Sequence, residues 1–421
     1  MRLWIFEDEG WENFSPLTLT RPVFRLKIGF WEMWQRSSRM IGISPDAAFT
    51  RSYLQSLTAA KTGLTANPEK PPNEDLLLLN GRAVRAEASW AEEKDVVGIQ
   101  EGQVVFASLS QKTVEDIWSL EVGELISRAR DECSQVEVQD ALASYPWDLF
   151  LRNGEAIRGD FQTVGKSGID GTLSQGSFIV GEKTDIYIAP GARVDPTVVL
   201  DATEGPIYID ENVRIYPHTR VEGPSYIGPG TLIVGGKIRE GCSIGPVCRI
   251  GGEVEESIFH GYSNKYHDGF IGHSYVGEWV NLGALTTNSD LKNDYSTVKI
   301  YVNGRLTETG ETKVGSLIAD HVKTGIGVLL NTGTVVGVGS VLMPSGEVLP
   351  KLVPSFVLVY KNRILHGLGL ENTIQTAKTV MSRRKVVMTE EEAEMLRKVY
   401  QLTSEERETL IRKDRRKRRL G

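Results

Sequence analysis

A six-residue beat constrains this chain more than any other feature of its sequence. Ile209, Ile215, Val221, Ile227 and Ile233 stand six apart, and Ile238, Ile244 and Ile250 take up a second register. Ile318, Thr324, Leu330, Val336 and Leu342 make a third run, and glycines directly follow several of these positions. An α-helix repeats every ~3.6 residues and a strand every ~2, so neither produces this period. A parallel β-helix does: each apolar residue points inward, a small residue marks the corner, and the coils stack face on face.

Glycine asymmetry bounds the repeat. Most of the 43 glycines fall after Gly154, so the β-helix occupies the second half and a different fold the first. Leu3–Phe6 reads as a buried strand, followed by the loop Glu7–Ser15 and by Pro16-Leu17-Thr18-Leu19-Thr20-Arg21-Pro22. An apolar pattern then predicts a helix over 29–38. Strand, loop with a cation, then helix is how α/β domains place an anion at a sheet end. Leu76–Leu79 before Asn80-Gly81-Arg82 reads as a central parallel strand. Thr113–Ala129 reads as one helix, Thr65–Glu74 as a surface loop and Asn153-Gly154 as a turn.

Within the second half, Val254–Asp268 and Lys292–Lys313 break the beat and read as loops thrown out of the coil, where functional groups collect. Pro344–Pro354 is expected to leave the β-helix, with a last strand at Ser355–Val359. Helices are expected at 371–382, 390–402 and 405–413, with capping-box spacing at Thr389/Glu392 and Thr403/Glu406. The expected domains are therefore 1–155, α/β; 156–360, β-helix; and 361–421, a helical basic tail.

Charge and composition narrow the class. From Arg383 onward there are 13 Lys/Arg and 8 Asp/Glu, so a tail of +5 follows a body of −12. An acidic body with a basic end is not the footprint of a nucleic-acid binder. No window approaches the ~18 apolar residues of a membrane span. The start runs from Phe6 straight into Glu7, Asp8 and Glu9, unlike a secretory signal. Cys133, Cys242 and Cys248 make no disulfide framework. A cytoplasmic protein is the expectation.

Three groups of motifs carry a resemblance. They are Leu17-Thr18-Leu19-Thr20-Arg21-Pro22-Val23 with Leu78-Leu79-Asn80-Gly81-Arg82; Pro146-Trp147-Asp148-Leu149; and the stretch from Ser263 to Asp290. That stretch reads Ser263-Asn264-Lys265-Tyr266-His267-Asp268-Gly269-Phe270-Ile271-Gly272, then Asn281-Leu282-Gly283-Ala284, then Thr286-Thr287-Asn288-Ser289-Asp290. Together they resemble a divergent bacterial bifunctional family of UDP-N-acetylglucosamine diphosphorylases/glucosamine-1-phosphate acetyltransferases. The resemblance implies an α/β nucleotidyltransferase-like (Rossmann-like) domain, then a left-handed, three-sided parallel β-helix and a helical C-terminal tail, assembled as a homotrimer. It implies attack of a sugar 1-phosphate on a nucleoside triphosphate such as UTP, aided by a carboxylate-held Mg²⁺, and acetyl-CoA-dependent N-acetylation of an amino-sugar 1-phosphate.

Residue by residue, the resemblance makes His267 the base that takes the amine proton, a task suited to an imidazole of pKa ~6.5. It makes Asn288 the amide that orients the sugar or its amine. Lys265 and Lys292 become candidates for the sugar phosphate, and Asn281 is structural or substrate-facing. In the first domain Arg21 faces the phosphates, with Arg25 and Lys27 as further candidates. The basic end Arg412–Arg419 is a solvated terminus or a contact for CoA phosphates.

Four departures stand against this pattern. Phe270 takes the place of a Tyr; Glu255 and Glu256 replace phosphate-binding lysines; no glycine falls between Gly10 and Gly29; and Arg82 stands where a metal-binding Asp belongs. Asp8, Asp148 and Asp160 remain open as metal ligands. Two other readings stay open too: nucleotidyl transfer alone, with the β-helix for assembly or regulation, or a non-catalytic sugar-nucleotide-binding regulator.

Overall fold

The computed structural model describes residues 1–417, and the chain forms two units: 1–27 with 31–145, and 28–30 with everything from Pro146 onward. In the first unit, Arg2–Phe6 lies mid-sheet and pairs in parallel with Pro45–Phe49 on one side and Leu76–Asn80 on the other. Alternate residues of these strands serve different cores. Leu3, Ile5, Leu77 and Leu79 belong to one cluster, and Trp4, Phe6, Leu76 and Leu78 to another. That two-sided burial is why the leucine run is continuous rather than alternating.

Leu76–Asn80 is central as expected, but parallel on one side only. Its other neighbour, Gln103–Leu109, is antiparallel and joins Val96–Gln100 in a hairpin, so the seven-stranded sheet is mixed. The helix expected over 29–38 begins later, at Met33–Ile41, because Lys27–Ile28 and Trp31–Glu32 first pair as a short hairpin. Gly29 makes the tip, with φ of 61° and no room for a Cβ against Asp160. The helix expected over 113–129 is two, Gln111–Ile117 and Val122–Glu132, broken at Trp118–Glu121.

The second unit opens with helices Pro146–Leu151 and Asn153–Val164. Asn153 is thus a helical residue rather than part of a turn, and its carboxamide is fully engaged. It accepts from Gly29 N at 2.7 Å and donates to Gly241 O at 2.8 Å and Ser243 Oγ at 3.0 Å. Those bonds hold this helix and residues 28–30 in the second unit, which begins at Pro146.

From Gly168 the chain winds through stacked parallel strands. One face is a continuous ten-stranded sheet from Gly168–Ile169 to Leu352–Val353. The other two faces meet in the long strands Leu232–Ile238 and Arg249–Glu255, each of which turns a corner. These are the long parallel sheets of a left-handed β-helix. Every isoleucine, valine and leucine of the three six-residue runs is buried in one core that runs the length of the stack.

Two stretches expected to leave the coil stay in it. Ile258–Gly261 and Asn264–Lys265 pair in register with neighbouring strands, and Leu352–Val353 pairs with Thr334–Val336. Lys292–Lys313 does leave, as the antiparallel hairpin Lys299–Val302 and Arg305–Glu308. The column closes with a second hairpin, Val357–Tyr360 and Arg363–His366, and the helices Leu370–Ser382, Glu390–Leu402 and Ser404–Lys417. Thr389 and Glu392 form their capping box, whereas the Thr403 hydroxyl bonds back to Val399 O instead. Arg418 and Arg419 lie outside the described residues. Among those described, no helix is long and apolar enough to cross a membrane.

Candidate functional site

In the first unit the charged side chains after strand Arg2–Phe6 are matched with one another. Glu7 takes the Val23 amide at 2.6 Å and a two-pronged contact from Arg51 at 2.9 and 3.1 Å. Arg51 also donates to Thr18 O and Arg21 O, which fixes the backbone of the predicted phosphate loop. Arg21 itself is buried at 2% exposure. Arg25 is clamped on Glu32 at 3.1 and 2.8 Å, and Lys27 is buried in the hairpin.

Arg82 is 1% exposed and donates to Asp8 through Nε at 2.8 Å and Nη2 at 2.6 Å, and to Ala143 O through Nη1 at 2.8 Å. Gly10 has no Cβ because Arg82 fills that space. A carboxylate-held Mg²⁺ therefore does not fit here, since Glu7 and Asp8 are already neutralised by arginines. Asp148 and Asp160 lie in the second unit, where Asp160 accepts the Phe30 amide at 2.9 Å. Among the described residues no cluster of acidic, His or Cys side chains could hold a metal.

In the second unit the sites are set by the coil register. Ile250 is opposite Lys265 and Glu253 opposite Phe270, so two residues between the former pair face four between the latter, Tyr266–Gly269. The two extra residues push His267 out of the corner into solvent. Lys265 sits in the inward row, where the preceding coils place Ile233 and Ile250. It is 2% exposed and donates to Gly251 O at 2.6 Å and His267 O at 3.2 Å. Burial depresses its pKa to about 8 despite nearby Asp268 and Glu253. Lys265 thus braces the His267 corner from inside and does not reach toward a substrate.

His267 lines a cavity of about 630 Å³ together with Asn264, Tyr266, Asn281, Ile326, Arg249, Arg383 and Arg384, among others. That volume lies within the ~300–1,000 Å³ of small-molecule sites. Asn264 and Asn281 are neighbours on adjacent coils, their carboxamides joined at 3.2 Å. Asn264 Oδ1 accepts from Arg384 Nη2 at 2.8 Å. Burial, and then the charges of Arg249 and Arg383, lower the Arg384 pKa from its ordinary value. Its Nε is buried with no hydrogen-bond partner, an omission that ordinarily costs about 1–3 kcal/mol.

The cavity brings together His267 and Asn281 but not the other predicted residues. Asn288 is paired with core residue Leu330 and is itself 2% exposed. Its carboxamide accepts from Gly272 N at 2.9 Å and donates to Gly272 O at 3.0 Å and Ser274 Oγ at 3.2 Å. Phe270 is half-buried over Gly272. Lys292 stays within its own loop, near Ser296, Thr297 O and Asp294.

Glu255 and Glu256, two of the departures from the resemblance, are both occupied. Glu255 pairs with Arg239 at 3.0 Å and Lys313 at 3.4 Å. Glu256 accepts from His273 Nε2 at 2.9 Å, and Asp290 holds the other ring nitrogen at 2.8 Å. Burial alone would push the His273 pKa down, but its hydrogen bonds to Asp290 and Glu256 outweigh that and raise it to about 9. The sequence reading missed this clamp and the three arginines. Their available signals were the run Arg383-Arg384-Lys385 after a helix and the outward position of Arg249 before Ile250.

Residues 3–168 match the model of a sugar nucleotidyl transferase family. Among curated relatives, a bifunctional sugar-1-phosphate nucleotidylyltransferase/acetyltransferase of Sulfurisphaera tokodaii is 34% identical over 34% of this chain and 37% of its own length. The bifunctional protein GlmU of Nitrosospira multiformis is 27% identical over 39% and 41%, respectively. That of Synechococcus elongatus is 27% identical over 50% and 45%. The chain thus spans about two-fifths of the length of the curated relatives it matches. A solved UDP-N-acetylglucosamine acyltransferase aligns over 50% of this chain and 77% of its own at 16% identity, with a TM-score of only 0.21.

Proposed function

We propose that this chain is a two-part transferase of nucleotide-sugar synthesis. The first part would join a sugar 1-phosphate to a nucleoside triphosphate such as UTP, releasing pyrophosphate. The β-helix would N-acetylate an amino-sugar 1-phosphate with acetyl-CoA, so that the product is a UDP-sugar such as UDP-N-acetylglucosamine. The match of residues 3–168 and the bifunctional relatives support this pairing. We further infer a cytoplasmic homotrimer.

The observation that carries the acyl-transfer half is the exposed His267 ring at the wall of the cavity, on a corner braced by Lys265. His267 would accept the amine proton as the amine nitrogen bonds to the thioester carbonyl carbon. The C–S bond then breaks, and the thiolate of CoA recovers the proton from the imidazolium. Asn281, which lines the same cavity, would orient the amine. Asn288, proposed for that role on resemblance, would act from inside the coil by fixing Gly272 and Ser274.

Mg²⁺ belongs to this proposal as counter-ion of the triphosphate, with no carboxylate pair of the first unit assigned to hold it. The Asp8–Arg82 pair favours a second reading, in which the first unit binds a nucleotide sugar without turning it over. One assay separates the two: purified protein with glucosamine 1-phosphate, acetyl-CoA, UTP and Mg²⁺, with thiol and pyrophosphate followed independently. Release of both supports the two-part transferase. Thiol without pyrophosphate supports the second reading, and absence of thiol overturns the acyl-transfer half.

A further inference from the structure

On the β-helix, arginines normally face carboxylates. Arg193 and Arg214 share Asp195, Arg220 bridges Asp201 and Glu222, and Arg239 holds Glu255. Arg249, Arg383 and Arg384 break this habit. Among the described residues none of the three has an ion-pair partner, and no acidic residue lines their cavity. They are gathered from distant parts of the chain. Arg249 lies one strand from Asn264, and Arg384, just beyond helix Leu370–Ser382, reaches that same Asn264 across 120 positions of sequence.

We propose that Arg249, Arg383 and Arg384 form a phosphate-binding corner of the His267 cavity, filled by a phosphate ester of one of the two acyl-transfer substrates. The identity of those substrates rests on the function proposed above; the corner itself does not. Three arginines lining one cavity without a counter-charge call for a ligand of more than one negative charge. Their planar donor forks match phosphate oxygens in a way an ammonium does not. The Asn264 bond fixes the plane of Arg384, while its buried Nε still lacks an acceptor. The corner also accounts for Glu255 and Glu256. Those positions do not need to supply cations, because Arg249 and the two tail arginines supply them at the cavity itself.

Phosphate could arrive on the sugar or on CoA, and calorimetry on the full chain distinguishes them. Glucosamine 1-phosphate is compared with glucosamine, and CoA with pantetheine, for the wild type and for Arg249→Gln, Arg383→Gln and Arg384→Gln. Loss of a charge-assisted contact predicts about 10- to 100-fold weaker binding of the phosphate-bearing ligand, with its phosphate-free partner unchanged. A loss confined to glucosamine 1-phosphate assigns the corner to the sugar, and one confined to CoA assigns it to the acyl carrier. Unchanged affinity for both phosphate esters in Arg249→Gln and Arg383→Gln overturns the proposal. Neither side chain makes a hydrogen bond among the described residues, so these two variants remain decisive even if Arg384→Gln misfolds. Phosphate binding lost in variants of a protein that releases no thiol would keep the corner and sink the acyl-transfer reading. Normal thiol release with unaltered KM in those variants would do the reverse.

Discussion

Arg82 in the first unit is buried and Arg384 in the second is half-buried, and their surroundings balance charge in opposite ways. Arg82 spends its donors on Asp8 and Ala143 O, with Gln103 also in contact. Arg384 has one carboxamide partner and two like charges beside it. The difference separates a guanidinium that holds a fold together from one available to something outside the chain. By that measure the first unit is closed around its own charges, and the second keeps an open positive corner beside a solvent-facing imidazole.

The largest effect that tests this contrast concerns His267. Its exposed ring contributes little to the fold, so His267→Ala should leave the melting temperature near wild type. If His267 is the general base proposed above, its removal lowers thiol release by ~10²–10⁴-fold. Equal rates for variant and wild type would place the chemistry elsewhere. The next effect lies in the first unit. Asp8→Ala strands a buried guanidinium, and breaking such a pair costs about 3 kcal/mol, the lower end of the usual range because Asp8 is 25% exposed. Denaturant midpoints would register the loss, and an unchanged midpoint would mean that the pair is not structural.

The smallest and most conditional effect belongs to His273, which shows full compensation inside the second unit as well. Its folded pKa of about 9 exceeds the unfolded value of 6.5, so its contribution is complete below pH 6.5 and disappears as pH rises through about 9. The loss is on the order of 2–3 kcal/mol between pH 6 and 10, with Glu256, Asp290 and Lys313 as the charged neighbours. Stability curves should converge for wild type and His273→Gln at the alkaline end. Parallel curves would show that the clamp does not titrate.

The inward rows of the column were readable from sequence because branched aliphatic residues at Ile209, Ile215 and Val221 leave a fixed period. The rows became unreadable where polar residues take inward places. Lys265 and Asn288 both do, and each breaks the beat while satisfying its own polar atoms against main-chain groups. That is why 254–268 looked like a loop. His267 was legible through its neighbours in sequence. Arg249 and Arg384 were not, since outward positions carry no periodic signature and their proximity depends on the tail folding back. The hairpin at Gly29 was hidden for a similar reason: its cause is Asp160, a contact 130 positions away through Phe30.

The hairpin Val357–Tyr360 and Arg363–His366 reverses strand direction at the last layer, and Ile411 of the final helix joins Ile364 in the core above it. Head-to-tail growth needs two unlike open ends, and among the described residues the hairpin end of this column is covered. Fibre formation by layer-on-layer addition is therefore blocked at one terminus. Two molecules that met through the layer holding Phe178, which is 61% exposed, would stop at a pair.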